Sequence, residues 1–245
     1  MKKLILLAAV AMCATAATAQ IASGRSTSFF STERSEEGIK FGIRAGINLN
    51  KFTGDAESDA QTGFRLGVAA DIPIIESLHF EPSLNFVTRP SKRTGVDVDY
   101  DSYSGEYDYC AWTRKYPFSY LEIPLLISYR YNFSEDWGWR VNLGPYIAYG
   151  LGGKYKYSDT DGETESQKLF GEEKNSYGDK WTNFKRLDVG LMFGTGVTYR
   201  NFLLEVGYQI GFTNINKDRF WKGYYEDKRA SVKNDGVYVQ LGYNF

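Results

Sequence analysis

Eight segments of the chain alternate apolar and polar residues along their whole length. In the first, Phe41, Ile43 and Ile47 alternate with Arg44 and Asn48. A period of two residues is the pattern of a β-strand with two different faces. Each segment has roughly nine residues or more, which fits a tilted transmembrane strand better than the shorter strands of soluble sheets. The segments are 40–52, 62–72, 78–89, 119–133, 139–150, 186–200, 202–213 and 237–245.

The connections between these segments alternate strictly between long and short. Outer-membrane barrels show this alternation, because their external loops are long and their periplasmic turns are short. The sequence therefore predicts an all-β fold, an eight-stranded antiparallel up-and-down transmembrane β-barrel. A ten-stranded barrel would need 94–113 to cross the membrane as a hairpin, which would break the alternation, so we disfavour it. The long connections are 50–61, 90–118, 151–185 and 214–235, and the short ones are 73–77, 134–138 and 200–201.

One face of the predicted strands carries charged residues in mid-strand. An Arg or Lys at the lipid-facing midplane costs roughly 2–4 kcal/mol, and ten charges placed there would exceed any plausible stability. We therefore expect the apolar faces to meet lipid and the charged faces to line the lumen as a network of ion pairs. The candidate network residues are Arg44, Arg65, Glu81, Glu122, Arg130, Arg140, Arg186, Asp188 and Glu205, with Asp71 on the same face.

The interior of an eight-stranded barrel is just wide enough for side chains to fill it. Long Arg and Glu side chains would plug such a lumen, and inward glycines such as Gly194 and Gly207 would make room for them. We expect no wide aqueous channel.

Aromatic residues cluster at the ends of the predicted strands, where interfacial girdles form in membrane barrels. The girdle predicted at the short turns contains Tyr131, Phe133, Trp137, Trp139, Tyr199, Phe202, Tyr243 and Phe245. The girdle predicted at the opposite end contains Tyr116, Phe118, Tyr120, Tyr146, Phe184 and Phe212.

The two ends of the chain carry different signals. Residues 1–19 combine two lysines, a short apolar run and an Ala-Thr-Ala site, which predicts a secretory signal peptide. Residues 20–38 are predicted to form a flexible periplasmic leader, and 39–245 the barrel. The last strand resembles the terminal signal that the barrel assembly machinery reads in outer-membrane proteins. The residues of this predicted assembly signal are Val237, Val239, Leu241, Tyr243 and Phe245.

The sequence offers little for catalysis, cofactors or metals. His79 is the single histidine, and we expect it to be a packed lumen residue. The stretch Asp159-Thr160-Asp161-Gly162-Glu163 resembles a calcium loop only faintly, because it lacks a ligand at the required offset. Cys110 is the one cysteine outside the predicted signal peptide, so no internal disulfide is expected. A formal charge of −1 gives no basic field for nucleic acid.

Tyrosine and tryptophan crowd the long connections. These residue types are enriched where surfaces bind partners, although here they could also cement a protruding β-collar. The sequence therefore leaves open a surface ligand or protein partner. The candidate loop contacts are Tyr103, Tyr107, Tyr109, Trp112, Trp181, Trp221, Tyr224 and Tyr225.

Four ordered segments carry a family resemblance. YLEIPLLISYRY at 120–131, NLGPYIAYGLGGK at 142–154, LDVGLMFGTGV at 187–197 and VGYQIGFTNIN at 206–216 resemble motifs of the Bacteroidetes outer-membrane β-barrel family, which is described as porin-family or PorT-like. The resemblance spans about 40–245 and implies a small barrel of the OmpA or OmpX type in the outer membrane of a Gram-negative cell. It implies no reaction and no cofactor.

Function is predicted only in outline. We expect a non-enzymatic outer-membrane barrel with a filled lumen and a structural or surface-interaction role, in contact with outer-membrane lipid and with the assembly machinery during biogenesis. The alternatives are a narrow porin or transporter, and an accessory component of a secretion system.

Overall fold

The computed structural model describes residues 38–55, 58–101, 105–159, 164–170, 184–217 and 231–245. Within these ranges the secondary structure consists of β-strands and turns, and no helix is long and apolar enough to cross a membrane. The strands are β1 (Lys40–Gly54), β2 (Asp59–Ile75), β3 (Leu78–Asp101), β4 (Glu106–Asn132), β5 (Trp137–Gly152), β6 (Lys154–Asp159), β7 (Thr164–Lys168), β8 (Leu187–Tyr199), β9 (Phe202–Gly211) and β10 (Val232–Asn244).

Eight of these strands close into a ring. The hydrogen-bonded order is β1, β2, β3, β4, β5, β8, β9 and β10, and β10 pairs back onto β1. Every pairing in the ring is antiparallel, so the predicted fold class is confirmed. The closing pair runs from Gly42↔Asn244 to Gly54↔Val232, which leaves neither strand with a free edge.

The alternation of the sequence becomes an alternation between the two surfaces of the ring. On β1, Ile43 and Ile47 are exposed on the outer surface, whereas Arg44 and Asn48 are buried in the lumen. The same rule holds around the ring, so the outer wall is a continuous apolar belt. The mid-strand charges lie inside it, as the cost of placing them against lipid requires.

The short turns collect at one end of the barrel. The turn between β8 and β9 has only two residues, and Arg200 adopts a left-handed conformation there with φ 51°. Its side chain donates a 2.9 Å hydrogen bond to Asp136 of the neighbouring turn, and this bond raises the pKa of the guanidinium. The pair links two turns on the solvent-exposed surface of this end.

At the other end, two predicted loops contain strands. The connection predicted at 90–118 is the continuation of β3 and β4, which pair without interruption from Asn85↔Glu122 to Asp101↔Glu106. The alternation of Val96, Asp97 and Val98 already continued the strand pattern of β3. These residues rise above the ring and do not widen it, so the barrel has eight strands, not ten. In the connection 151–185, β6 and β7 form a hairpin that pairs with β4 at Trp112–Lys115.

Aromatic side chains fill the lumen at this same end. Tyr116, Phe118 and Tyr120 point inward and pack with Phe52 and Phe170. The prediction that they form an outer girdle is wrong. They share the parity of the inward Glu122 on β4, so strand alternation directs them inside. Tyr146 and Phe184 pack with these residues, and we call the whole cluster the aromatic plug. Of the six residues predicted for the outer girdle, Phe212 alone is exposed on the outside.

Candidate functional site

The lumen contains a first group of ion pairs centred on Glu122 of β4. Arg65 of β2 donates to one carboxylate oxygen at 2.6 Å, and Arg89 of β3 donates to the other. Gln209 of β9 also donates to this carboxylate, at 3.0 Å. Glu122 has no exposed surface. A buried charge needs such complete hydrogen bonding, because its desolvation penalty is several kcal/mol.

Arg89 extends this group across the barrel to Asp188 of β8. Its guanidinium donates to Asp188 at 2.7 Å, and Asn234 of β10 donates to the same carboxylate at 3.2 Å. The guanidinium also lies 5.0 Å from the ring centroids of Tyr120 and Tyr146. One side chain thus joins the ion pairs to the aromatic plug.

A second group lies nearer the short turns. Glu81 of β3 accepts hydrogen bonds from Arg130 of β4 and Arg140 of β5. Arg130 also pairs with Asp71 of β2 at 2.7 Å, and the same carboxylate lies 2.7 Å from Nδ1 of His79. His79 is a packed lumen residue in this cluster.

Glu205 of β9 completes the second group. It lies 3.3 Å from Arg140 and accepts a 2.6 Å hydrogen bond from Asn142. Tyr238 and Gln240 of β10 donate to its other oxygen at 2.9 and 3.1 Å. The two groups together connect every strand of the ring except β1.

The charges of the lumen balance. Five arginines and five carboxylates lie inside, and the arginines are Arg44, Arg65, Arg89, Arg130 and Arg140. Among the described residues, no carboxylate lies within 4 Å of Arg44, whose Nη1 donates to the carbonyl of Ile43 at 3.1 Å. The carboxylates are Asp71, Glu81, Glu122, Asp188 and Glu205.

Sequence reasoning placed one residue in this network that the structure places elsewhere. Arg186 is exposed just before β8, where it donates to the carbonyl of Gly150 at 2.7 Å. It lies over the ring of Phe170, above the ion pairs. The alternation of β8 begins at Leu187, so Arg186 is not held on an inward strand face.

Arg89 is the residue that sequence reasoning missed. It stands at the end of the third predicted segment, 78–89, next to Pro90, and the predicted network does not include it. The structure extends that strand past Pro90 and places Arg89 at the centre of the first group. The alternation that resumes at Val96, Asp97 and Val98 was the signal that the strand continues past Pro90.

Little space remains among these side chains. A cavity of about 20 Å³ lies between Arg44, Arg65, Glu81 and Glu205, which is room for about one water molecule. Glycine makes the dense packing feasible at Gly207, where a Cβ would lie 2.3 Å from the ring of Tyr238.

Among the described residues, the surface above the ring includes the outer hairpin, which we define as Thr94–Asp101 of β3 with Glu106–Thr113 of β4. Its register places Val98 opposite Tyr109 and Val96 opposite Ala111. Tyr107 and Tyr109 are 62% and 65% exposed, and Val96 and Val98 are exposed on the same face. Trp112 is half-buried on the other face, with Arg114 4.4 Å above its ring. Tyr103, Trp181, Trp221, Tyr224 and Tyr225 lie outside the described residues.

At the short-turn end, aromatic side chains on the outer surface pack against one another. The rings of Trp137 and Tyr199 lie 4.7 Å apart, and those of Phe202 and Tyr243 lie 5.0 Å apart. Phe245 packs against Tyr243 at 5.5 Å, and its backbone N–H donates to the carbonyl of Phe41. Of the predicted assembly signal, Val239, Leu241 and Phe245 are exposed, and Val237 and Tyr243 are half-buried.

The described residues contain no group of three or more His, Cys, Asp or Glu side chains that could hold a metal ion. Cys110 lies in the outer hairpin opposite Asp97, and it forms no disulfide.

Comparison with known proteins gives one family match. The model of the family described as "Outer membrane protein beta-barrel domain" matches residues 19–217. No curated protein matches the chain.

Several solved structures are similar at low sequence identity. Ail, the attachment invasion locus protein of Yersinia pestis, crystallised in complex with the heparin analogue sucrose octasulfate, is 15% identical over 85% of this chain and 100% of that chain, with a TM-score of 0.38. Neisserial surface protein A is 14% identical over 85% of this chain and 100% of that chain, with a TM-score of 0.40. The N-terminal β-barrel domain of Pseudomonas aeruginosa OprF is 10% identical over 82% and 97%, with a TM-score of 0.31.

Proposed function

The chain belongs to the family of outer membrane protein β-barrel domains, and we propose that it serves there as a closed scaffold that displays a surface for interaction. It is a protein of the outer membrane. Its proposed role is non-enzymatic, needs no cofactor and involves no nucleic acid.

The filled lumen is the observation that carries this proposal. Four arginines pair with five carboxylates inside the ring, and the aromatic plug covers them at the end of the long connections. Opening a pore would expose these charges or break their pairs, and breaking a buried pair costs roughly 3–5 kcal/mol. These features support a static barrel over a narrow porin or transporter.

The outer hairpin is the proposed interaction surface. A β-hairpin has two faces, and in a soluble protein its apolar face is normally covered by other parts of the molecule. Here Val96, Val98, Tyr107 and Tyr109 remain exposed together. Exposed tyrosines give contact area at low entropic cost, which favours a protein or polysaccharide partner on this face.

The proposed environment follows from the two ends of the barrel. The apolar belt is in contact with lipid, the short turns face the periplasm, and the outer hairpin faces the cell exterior. During biogenesis, β10 with its exposed Leu241 and Phe245 is the proposed contact for the barrel assembly machinery. The motif resemblance supports a Bacteroidetes, PorT-like branch of the family, and it supports a secretion-accessory role only as the alternative.

Conductance across a planar lipid bilayer tests the filled lumen. The purified full-length barrel should give no current steps above those of the empty bilayer. A matched variant, Arg89→Ala with Tyr120→Ala, removes the link between the ion pairs and the plug, and it should give steps if it folds. Steady single-channel conductance of the unmodified protein would contradict the proposal.

A surface capture experiment tests the interaction role. The barrel in detergent is used to capture proteins and polysaccharides from the growth medium and cell surface. The double variant Tyr107→Ser with Tyr109→Ser should lose the captured partner, and the variant Phe193→Ser with Leu204→Ser on the apolar belt should keep it. Equal capture by both variants would assign the binding to another part of the molecule.

A further inference from the structure

Three lysines stand side by side where the outer surface rises above the apolar belt. The register places Lys92 of β3 opposite Lys115 of β4, and Lys115 opposite Lys156 of β6. Residues opposite each other on adjacent strands share a face, and strands lie about 4.8 Å apart. The three ammonium groups therefore form one row, which we call the lysine row.

Among the described residues, no carboxylate forms an ion pair with the lysine row. Like charges placed directly opposite each other destabilise a sheet. In the described part of the chain, no carboxylate lies within 4 Å of Lys92, Lys115 or Lys156; Asp59 is opposite Lys92 on β2 but does not form an ion pair with it. On the described residues of this face, three lysines stand against the single Asp59, so positive charge is in excess. Such a row is stabilised by an anion.

A crevice in the barrel wall opens directly below the lysine row. The pairing of β2 with β3 is interrupted between Ala60↔Ser91 and Arg65↔Val87. Over this gap the side chain of Thr88 replaces the missing backbone partner, since its hydroxyl accepts from the Phe64 N–H at 2.9 Å. The result is an outward crevice of about 470 Å³.

The lining of this crevice is mostly apolar. Ile47 and Phe64 form its lower part on the outer wall, and Pro90 and Pro117 face each other at its upper part. The hydroxyls of Thr88 and Ser119 also border it. Lys92 and Lys115 follow two residues above the prolines, which is roughly 7 Å along the strands. Apolar lining and positive charge thus adjoin on the outer surface.

We propose that the crevice and the lysine row form one binding site for a phosphate-bearing lipid of the outer leaflet. An acyl chain occupies the crevice between Ile47, Phe64 and the two prolines, and the phosphate of the headgroup contacts the lysine row. Lysine is a point-charge ligand for phosphate, and basic side chains beside a membrane attract anionic headgroups. The continuity of the crevice with the apolar belt favours a lipid over a soluble anion.

The inference rests on the proposed orientation, in which the outer hairpin faces the cell exterior. Binding in detergent does not depend on that orientation or on the filled lumen. A failure of the lipid experiment is therefore distinguishable from a failure of the conductance or capture experiments.

Native mass spectrometry of the full-length barrel, titrated in detergent with diphosphoryl lipid A, measures the affinity. The triple variant Lys92→Gln, Lys115→Gln and Lys156→Gln should bind on the order of a hundredfold more weakly, because each basic residue near an anionic surface contributes about fivefold.

The matched control changes the same number of charges at the same end but on the opposite wall. It carries Lys185→Gln, Lys217→Gln and Lys233→Gln, and it should bind as the unmodified protein does. Heat-modifiable mobility on gels confirms that each variant is folded. Equal affinities of the two triple variants would overturn the proposal.

A separate variant tests the crevice. Thr62 is exposed and borders the crevice, so Thr62→Trp should occupy it and weaken binding of lipid A at least about tenfold. Inorganic phosphate at the same phosphate concentration should not displace the lipid. Unchanged binding by Thr62→Trp, or displacement by inorganic phosphate, would also overturn the proposal, because either would show an anion site without an acyl chain.

Discussion

Arg89 and Asp188 lie 99 residues apart in the chain and meet in the lumen at 2.7 Å. They come from β3 and β8, which are not neighbours in the ring. The pair therefore joins two walls of the barrel through its interior. Neither strand pairing nor the apolar belt makes such a connection.

Removing Arg89 should destabilise the barrel strongly. Arg89→Met leaves the carboxylates of Glu122 and Asp188 buried without this partner, so we expect a loss of about 3–5 kcal/mol in the free energy of unfolding. Urea-induced unfolding in lipid vesicles, followed by gel mobility, measures it. The control is Arg200→Met, which breaks the exposed pair with Asp136 and should change stability little. Similar losses in both variants would show that the lumen pairs contribute no more than surface pairs.

Position 207 should require glycine, because the ring of Tyr238 occupies the space of a Cβ there. A Cβ there would lie 2.3 Å from the tyrosine ring, so Gly207→Ala forces the ring to move. We expect a loss of about 1–3 kcal/mol. Gly152→Ala is the control, because a Cβ there meets nothing within 4 Å.

A double variant separates this contact from other effects of Gly207→Ala. Adding Tyr238→Ala removes the ring and should recover part of the loss, with a coupling energy of at least about 0.5 kcal/mol in a double-mutant cycle. Additive losses would place the cause of the destabilisation elsewhere, for example in the backbone of β9.

The ring itself could be predicted from the sequence because the alternation of each strand distinguishes its apolar face from its polar face, independently of the other strands. Ile43 and Arg44 indicate which face of β1 meets lipid and which faces the lumen, because a charged side chain in lipid is too costly. The closure of β10 on β1 follows, because a free edge cannot lie in hydrocarbon.

The upper part of the molecule could not be predicted in the same way. Tyr116, Phe118 and Tyr120 were assigned to a girdle by residue type, although their parity with Glu122 directs them inward. Above the membrane an aromatic side chain is stabilised by burial on either face of a strand. Residue type therefore does not indicate there which face the side chain occupies. Parity remains informative as long as the strand continues, and Pro90 and Pro117 obscured that continuation.

The sequence also could not predict which charged residues of the lumen pair with each other. Alternation states that Glu122 and Arg89 point inward, but it does not give the height at which they meet. That height depends on the stagger between strands, which the register of β3 with β4 fixes at Asn85↔Glu122. The same uncertainty placed Arg186 in the network, one residue before β8 begins.

The proposed orientation predicts which residues can be labelled from outside the cell. Thr94→Cys on the outer hairpin should react with a membrane-impermeant maleimide in intact cells. Asp136→Cys in a short turn should react only after the outer membrane is opened. Both variants carry Cys110→Ser, which removes the background from the native thiol. Labelling of position 136 in intact cells, with position 94 protected, would reverse the orientation.

Phe245 should contribute to assembly through the contacts of the closing seam. Its ring packs on Tyr243, which in turn packs on Phe202, and its backbone N–H bonds to Phe41 of β1. Phe245→Ala removes the first of these contacts at the short-turn end, where β1, β9 and β10 meet. We expect a severalfold lower yield of folded barrel in the outer membrane fraction, measured as the heat-modifiable form. Phe212→Ala is the matched control, since Phe212 is also exposed on the outer wall but lies at the opposite end of the barrel. A normal yield of the Phe245 variant, or an equal loss in both variants, would show that assembly does not depend on the contact between Phe245 and Tyr243.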